Sequence, residues 1–324
     1  MATPPLGSNA PYGKIMIGTK KAQTKPFWLA QGIQPVIDIE NKWLVVGHVD
    51  ELFMWVSATN VLVAAPWFAA HMLHNEIVAG RGTNILWCGW ETEGKTNTVE
   101  GVVIDNGKIT RLLAPLDGTT TTLSCTGTVF SADDYLRVGF EILQVVTTNA
   151  NGYIVKRAQA GTQPAIHASN DVIYALSPLM QKNLIGIDSA HSKIATATTQ
   201  LRNGLGDYTN NVIFTSVPVL FNDEVILDGF AYPPSEFAAV TANLANSLVV
   251  NANNISIYYS EPGLQAFRDY MANVVPKSIA VNVWDTHHCL GGEIHCGTAT
   301  TRTLPVSPPW WQHSVVTNNW RNER

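Results

Sequence analysis

Apolar positions along this chain follow an α/β rhythm near both ends and lose it in the middle. Residues 1–14, rich in Pro, Gly and Asn, read as loop, and Ile15, Met16 and Ile17 as a short strand. Residues 43–56 alternate well enough to predict a strand, with Trp43, Val45, Leu52 and Met54 bracketing His48 and Asp50. A turn over Ser57-Ala58-Thr59-Asn60 leads to a second strand at Val61-Leu62-Val63. Pro66 suits the first turn of a helix, where its missing N–H has no intrahelical partner to lose. That helix is expected to reach about Val78 and stop at Gly80.

Residues 84–190 read differently. Gly, Thr and Asn are frequent, and short apolar runs such as Val102-Val103-Ile104 are separated by turn signals such as Asn106-Gly107. The expectation is a β-rich insertion, with Thr119 to Thr122 as a strand edge or loop. The rhythm returns over 262–275, where Leu264, Phe267, Met271 and Val274 share a helical face between Pro262 and Pro276. Ile279, Val281 and Val283 then alternate as a strand that delivers the chain into the Trp284–Thr298 loop.

Composition narrows the classes. The chain has 324 residues, 46% hydrophobic and 14% charged, enough apolar material for a substantial core. A net charge of −5 without a Lys/Arg cluster argues against a nucleic-acid partner. No stretch approaches the ~20 apolar residues of a membrane span, and no signal peptide is evident. Four scattered cysteines, Cys88, Cys125, Cys289 and Cys296, form no disulfide framework, so a soluble, cytoplasmic protein is expected.

The chemistry lies in two short motifs. Gly47-His48-Val49-Asp50-Glu51 holds an imidazole and a carboxylate two residues apart, which on a strand share one face. Gly292-Glu293-Ile294-His295-Cys296-Gly297-Thr298 holds a thiol in a Gly-flanked loop. A thiol, an imidazole and a carboxylate converging on one cleft can attack a cationic planar carbon such as that of a guanidinium. The plainer alternatives are an inert buried thiol and a hydrogen-bonded core histidine. Glu51 would point to the other face and be structural. His287, His288, Cys289, His295 and Cys296 raise the question of zinc, but their spacing fits no standard zinc motif, and no metal site is assigned.

With these residues in view, the chain resembles the catalytic domain of the protein-arginine deiminases. Tyr12 to Gly18 is similar to the strand ahead of that family's histidine motif, and Trp43-Leu44-Val45-Val46-Gly47-His48-Val49-Asp50-Glu51 to its W-L-x-V-G-H-V-D-E block. Val217 to Phe221 resembles its I/L-P-x-L-F segment, Gly292 to Thr298 its G-E-V-H-C-G-T loop, and Trp310-Trp311 a terminal aromatic pair. The likeness covers roughly 11–85 and 196–313. It implies an α/β fold, a pentein-type propeller of ββαβ units, with 1–324 as a single domain and 86–195 as a divergent β-rich insertion. It also implies conversion of peptidyl-arginine to citrulline through a covalent thiouronium. Cys296 would be the nucleophile, His48 the general acid/base and Asp50 a catalytic and guanidinium-binding carboxylate; read from the residues themselves, His288 and His295 are expected to line the active-site loop, with His295 as a second substrate-binding residue. An arginine-containing protein or peptide is the expected partner.

The family's further aspartate, its calcium ligands and the arginine that grips the substrate backbone lie on a segment upstream of the Tyr12–Gly18 strand. Here the family-like sequence begins almost at Met1. The expectation is therefore an incomplete domain of doubtful activity and possible self-association. Calcium is implied by the resemblance only, its family ligands not being in this chain. Ala299 stands at the family's asparagine position. Two other readings remain: a non-catalytic pentein-like fragment or binding protein, and a small-molecule guanidine deiminase.

Overall fold

The computed structural model describes residues 1–7, 10–90, 97–127, 129–149, 152–227, 230–250 and 256–298. Ala299 and Trp310-Trp311 lie outside them. The chain uses one local topology repeatedly. Near the N-terminus, Ala2 bridges antiparallel to Ile15 on β1 (Ile15–Gly18). Helix α1 (Lys25–Gln31) then leads to β2 (Val36–Ile39), which pairs parallel with β1, Ile15 opposite Val36. Next, β3 (Phe53–Trp55) and β4 (Asn60–Ala64) form an antiparallel hairpin with Phe53 opposite Val63. Helix α2 (Pro66–Val78) follows, opened by Pro66 and closed by Gly80 in the left-handed region, φ +72°.

The strand that completes this second sheet comes only after an intervening sheet. Helix α3 (Val99–Val103) leads into β5 (Ile104–Arg111), followed by β6 (Thr122–Leu123), β7 (Tyr135–Val138), β8 (Glu141–Asn149), β9 (Gly152–Lys156) and β10 (Val172–Leu176). These six strands form one antiparallel sheet in the order β5-β10-β7-β8-β9-β6. Alternation splits its two faces. Leu136, Val138, Leu143, Ile173 and Ala175 enclose the insertion's own apolar cluster, while Ile142, Tyr174 and Leu176 join the main core.

Helices α4 (Pro178–Leu184) and α5 (Ala190–Leu205) bring the chain back, capped by Ser177 and Ser189, whose hydroxyls accept from Met180 N and Ser192 N. Then β11 (Ile213–Val217) pairs parallel with β4 and gives the sheet order β11-β4-β3. Two short antiparallel pairs follow, β12 (Phe221–Asn222) with β15 (Ala238–Ala239), and β13 (Ile226–Leu227) with β14 (Phe230–Ala231). The topology then recurs: β16 (Leu248–Val250) antiparallel to β17 (Ser256–Ser260), α6 (Gln265–Val274), and β18 (Ser278–Val281) parallel to β17. Leu73 and Ile77 of α2, Ile194, Ala197 and Leu201 of α5, and Phe267 and Met271 of α6 repeat at helical spacing and bury in the main core. Among the described residues, no helix is long and apolar enough to cross a membrane.

Two local expectations are corrected. Residues 43–56 are not one strand: the segment turns at 42–43, and Val49–Glu51 is a single 3₁₀ turn ahead of β3. Gly47 sits at φ +73° with Lys20 so close that a β-carbon would meet Lys20 Cδ at 2.4 Å, so the chain bends there. His48 and Asp50 thus do not share a strand face. In the insertion, Asn106-Gly107 does not separate two runs. Val99–Val103 is helical, and β5 runs through both residues at positive φ, 46° and 69°.

Candidate active site

The loop bearing His48 is held from below. Lys20 Nζ donates to Leu44 O and Val45 O at 2.5 and 2.9 Å and pairs with Glu236 at 2.9 Å, while Asn41 Nδ2 donates to Gly47 O at 2.6 Å. Glu51 closes the 3₁₀ turn by accepting the His48 N–H at 2.6 Å. Burial pushes the Glu51 carboxyl up to about 8 against that hydrogen bond and the charge of Lys20, with the Asp50 charge adding to the rise. Its role is structural. His48 is left exposed and Asp50 buried.

The cysteine loop is held by a second buried clamp. Glu293 Oε1 accepts from Asn243 N at 2.9 Å and lies 2.7 Å from His288 Nδ1. The other ring nitrogen of His288 reaches Gly89 O at 2.9 Å, and its ring stacks on Trp284 at 4.1 Å. Asn243 Nδ2 also donates to Glu51 O at 2.9 Å, so one asparagine ties both motif loops together. Gly297 is packed so tightly that a β-carbon would meet His287 Nε2 at 2.1 Å. These contacts fix where the turn places His295 and Cys296.

His295 Nδ1 lies 2.5 Å from Asp50 Oδ2, a contact across 245 residues of sequence. Burial opposes the Asp50 charge, but the His295 hydrogen bond, the charges of His295 and His48, and a backbone N–H outweigh it and hold the carboxyl below its ordinary range. Beside His295, the sulfur of Cys296 meets the buried Asn246, whose Nδ2 is 3.4 Å and Oδ1 3.6 Å away. Desolvation raises the Cys296 thiol, as do the charges of Asp50 and Glu51, against a backbone N–H and the Asn246 amide. The resting site is therefore a carboxylate–imidazole pair next to a protonated thiol, in a setting that favours a positively charged guest.

The structure thus brings Asp50, His295 and Cys296 together, with His48 near enough for its charge to act on Asp50. Sequence reasoning missed Asn246 and the Glu293–His288–Asn243 clamp. Glu293 was visible inside the cysteine motif, but nothing in the run around Asn246 marks it. Among the described residues no group of three or more His, Cys, Asp or Glu could hold a metal ion.

Comparison with known proteins bears on the first of the two motifs. Residues 2–114 match the protein-arginine deiminase family, a stretch that continues past residue 85 into β5. Protein-arginine deiminase type-3 of Rattus norvegicus is 27% identical over 114 residues, covering 30% of this chain and 17% of that protein. The Mus musculus protein is 28% identical over the same share. The matched region is thus under one fifth of the length of these relatives. His48 and Asp50 fall inside residues 2–114, His295 and Cys296 outside them. Through that segment the chain is related to the protein-arginine deiminase family.

Proposed function

We propose that this chain carries a deiminase-type hydrolase site that converts peptidyl-arginine to citrulline. The observation that supports it is the contact between Asp50, inside the family-matched segment, and His295, which stands beside Cys296 outside it. The repeated antiparallel-pair, helix, parallel-strand units are read as blades of a pentein-type propeller, with the site where their loops meet.

In this reading the guanidinium docks against Asp50, which trades His295 for a charge-assisted pair of N–H donors. The cation offsets the acidic surroundings that keep the thiol protonated, so substrate binding itself drives Cys296 toward thiolate. As sulfur attacks the guanidinium carbon the thiol proton passes to His48, which then gives it to the departing ammonia. Water, losing its proton to His48, adds to the thiouronium, and the thiolate leaves citrulline. Asn246 steadies the sulfur, and His295 holds Asp50 until substrate arrives. The expected partner is an arginine-containing protein or peptide, and the expected compartment the cytoplasm.

A second reading, a non-catalytic binder, draws on the same raised thiol: the pocket would hold an arginine side chain without turning it over. Citrulline release from benzoyl-arginine ethyl ester separates the two. Turnover is expected to fall at least about 1000-fold in Cys296→Ala and in Asp50→Asn. Turnover untouched by Cys296→Ala overturns the mechanism, and saturable ester binding without citrulline favours the binder.

A further inference from the structure

A second site lies where the insertion meets α2. Alternation along β7 sends Leu136 and Val138 into the insertion's own cluster and turns Arg137 the other way, toward α2. Arg137 is wholly buried, and only its Nε is engaged, donating to Gly139 O at 3.0 Å. Nη1 and Nη2 have no hydrogen-bond partner. Tyr174 faces Arg137 across the β7–β10 pair, and its guanidinium carbon stands 5.5 Å from the Trp67 ring of α2. The other titratable neighbours, His71 and His74, are pushed down by burial and by the Arg137 charge, His74 to about 3. Glu141, the buried carboxylate of the same sheet, is taken up by Arg157, His167 and two backbone N–H groups. A buried cation with four free N–H bonds and no counter-charge is costly unless something supplies one.

A groove of about 430 Å³ opens beside it, within the size range of small-molecule sites. Trp67, Phe140, Thr162, Gln163, Ala165 and His191 line it. Trp67 belongs to both places, since the guanidinium lies against its ring and the same side chain walls the groove. Phe140, on the turn right after Gly139, is 64% exposed and packs its ring 4.5 Å from His71. Arg137 does not itself line the groove, so a guest reaches its Nη edge only when a wall moves, and Phe140, exposed and next in sequence to Gly139, is the wall the inference takes to move.

We infer that this groove binds a small organic carboxylate, its two oxygens taken by Nη1 and Nη2 of Arg137 and its apolar body held between Phe140 and Trp67. The free Nη edge of a guanidinium matches a carboxylate in bidentate geometry, and the aromatic walls suit a flat hydrocarbon body better than a bare inorganic anion. The site is separate from the Asp50–Cys296 cleft and does not depend on the deiminase reading.

The test is calorimetric titration of the full chain with benzoate, and with benzamide as its neutral isostere. Benzoate should bind saturably and raise the melting temperature, with benzamide at least ten-fold weaker. Arg137→Gln should weaken benzoate at least ten-fold, and Phe140→Ala should weaken benzoate more than acetate. Equal binding of benzoate and benzamide, no benzoate binding, or unchanged benzoate affinity in Arg137→Gln overturns the inference. Should Arg137→Gln fail to fold, the benzoate–benzamide pair on the unaltered chain decides alone.

Discussion

Glu141 offers the sharpest test of how the insertion is held. Its side chain is fully buried, and it receives Arg157 Nε and Nη2 at 2.6 and 2.7 Å, Ala158 N at 3.1 Å and Ala165 N at 3.0 Å, with His167 Nε2 at 2.9 Å. Burial alone would raise the carboxyl, but these donors outweigh it and hold it at about 2, against an ordinary 4.5. Each pH unit between those values is worth about 1.4 kcal/mol, which gives roughly 3 kcal/mol, reduced to about 2 for residual solvent screening. A carboxyl depressed on folding contributes stability that is fully present above 4.5 and fades as pH falls toward 2. Glu141→Gln, which keeps the shape but turns donors toward donors, should therefore cost about 2 kcal/mol at pH 7 and lower the melting temperature by on the order of 5 °C. Melting curves by circular dichroism between pH 7 and pH 3 are the assay. The gap between the two proteins should narrow as the wild type protonates. A gap that is constant with pH, or smaller than about 0.5 kcal/mol throughout, would refute the reasoning.

Two further predictions concern the thiols. Iodoacetamide should label Cys296, which is exposed, at least ten-fold faster than Cys88, which is buried and pushed up to about 12; mass spectrometry of the labelled chain reads the order, and Cys88 labelling first would contradict it. Asp50→Asn should speed labelling of Cys296 by removing a negative charge that raises its thiol, while Asn246→Ala should slow it by removing a hydrogen bond that lowers it; rates that move together in both variants would show that the sulfur does not sense these neighbours.

Much of the fold was legible where local signals agreed with the tertiary outcome. The turn at 57–60 and Pro66 with Gly80 set the hairpin and α2 before any packing is considered. The face shared by Phe267 and Met271 set α6, although it begins at Gln265 rather than at Pro262. The His48 segment misled because its alternation is real while its backbone is not extended. Gly47 folds back on Lys20, and Glu51, read as a structural residue on the other face, turns its carboxyl group onto the His48 N–H. Asp50 therefore meets His295 from a turn, not from a strand face. Asn246 had no signal because its partner is 50 residues away, and an asparagine in the mixed run Ala242-Asn243-Leu244-Ala245-Asn246-Ser247 predicts only a turn. Arg137 was equally silent: Leu136-Arg137-Val138 reads as a strand with one wet face, and only the arrival of α2 makes that face dry.

The split of one small sheet also sets the order in which the molecule can assemble. Strands β4 and β11 are neighbours in register, yet about 150 residues of chain separate Ala64 from Ile213. Compared with a crossover of about 15 residues, joining ends so far apart along a disordered chain costs roughly 2 kcal/mol more in loop-closure entropy. Within the insertion, by contrast, two of the five strand pairings join strands consecutive in sequence, β7 with β8 and β8 with β9. Local pairing of that kind forms early and shortens the effective loop, so the insertion is expected to fold first and carry β11 to its place. A lesion in the insertion would then appear not as a local defect but as slow closure of a different sheet.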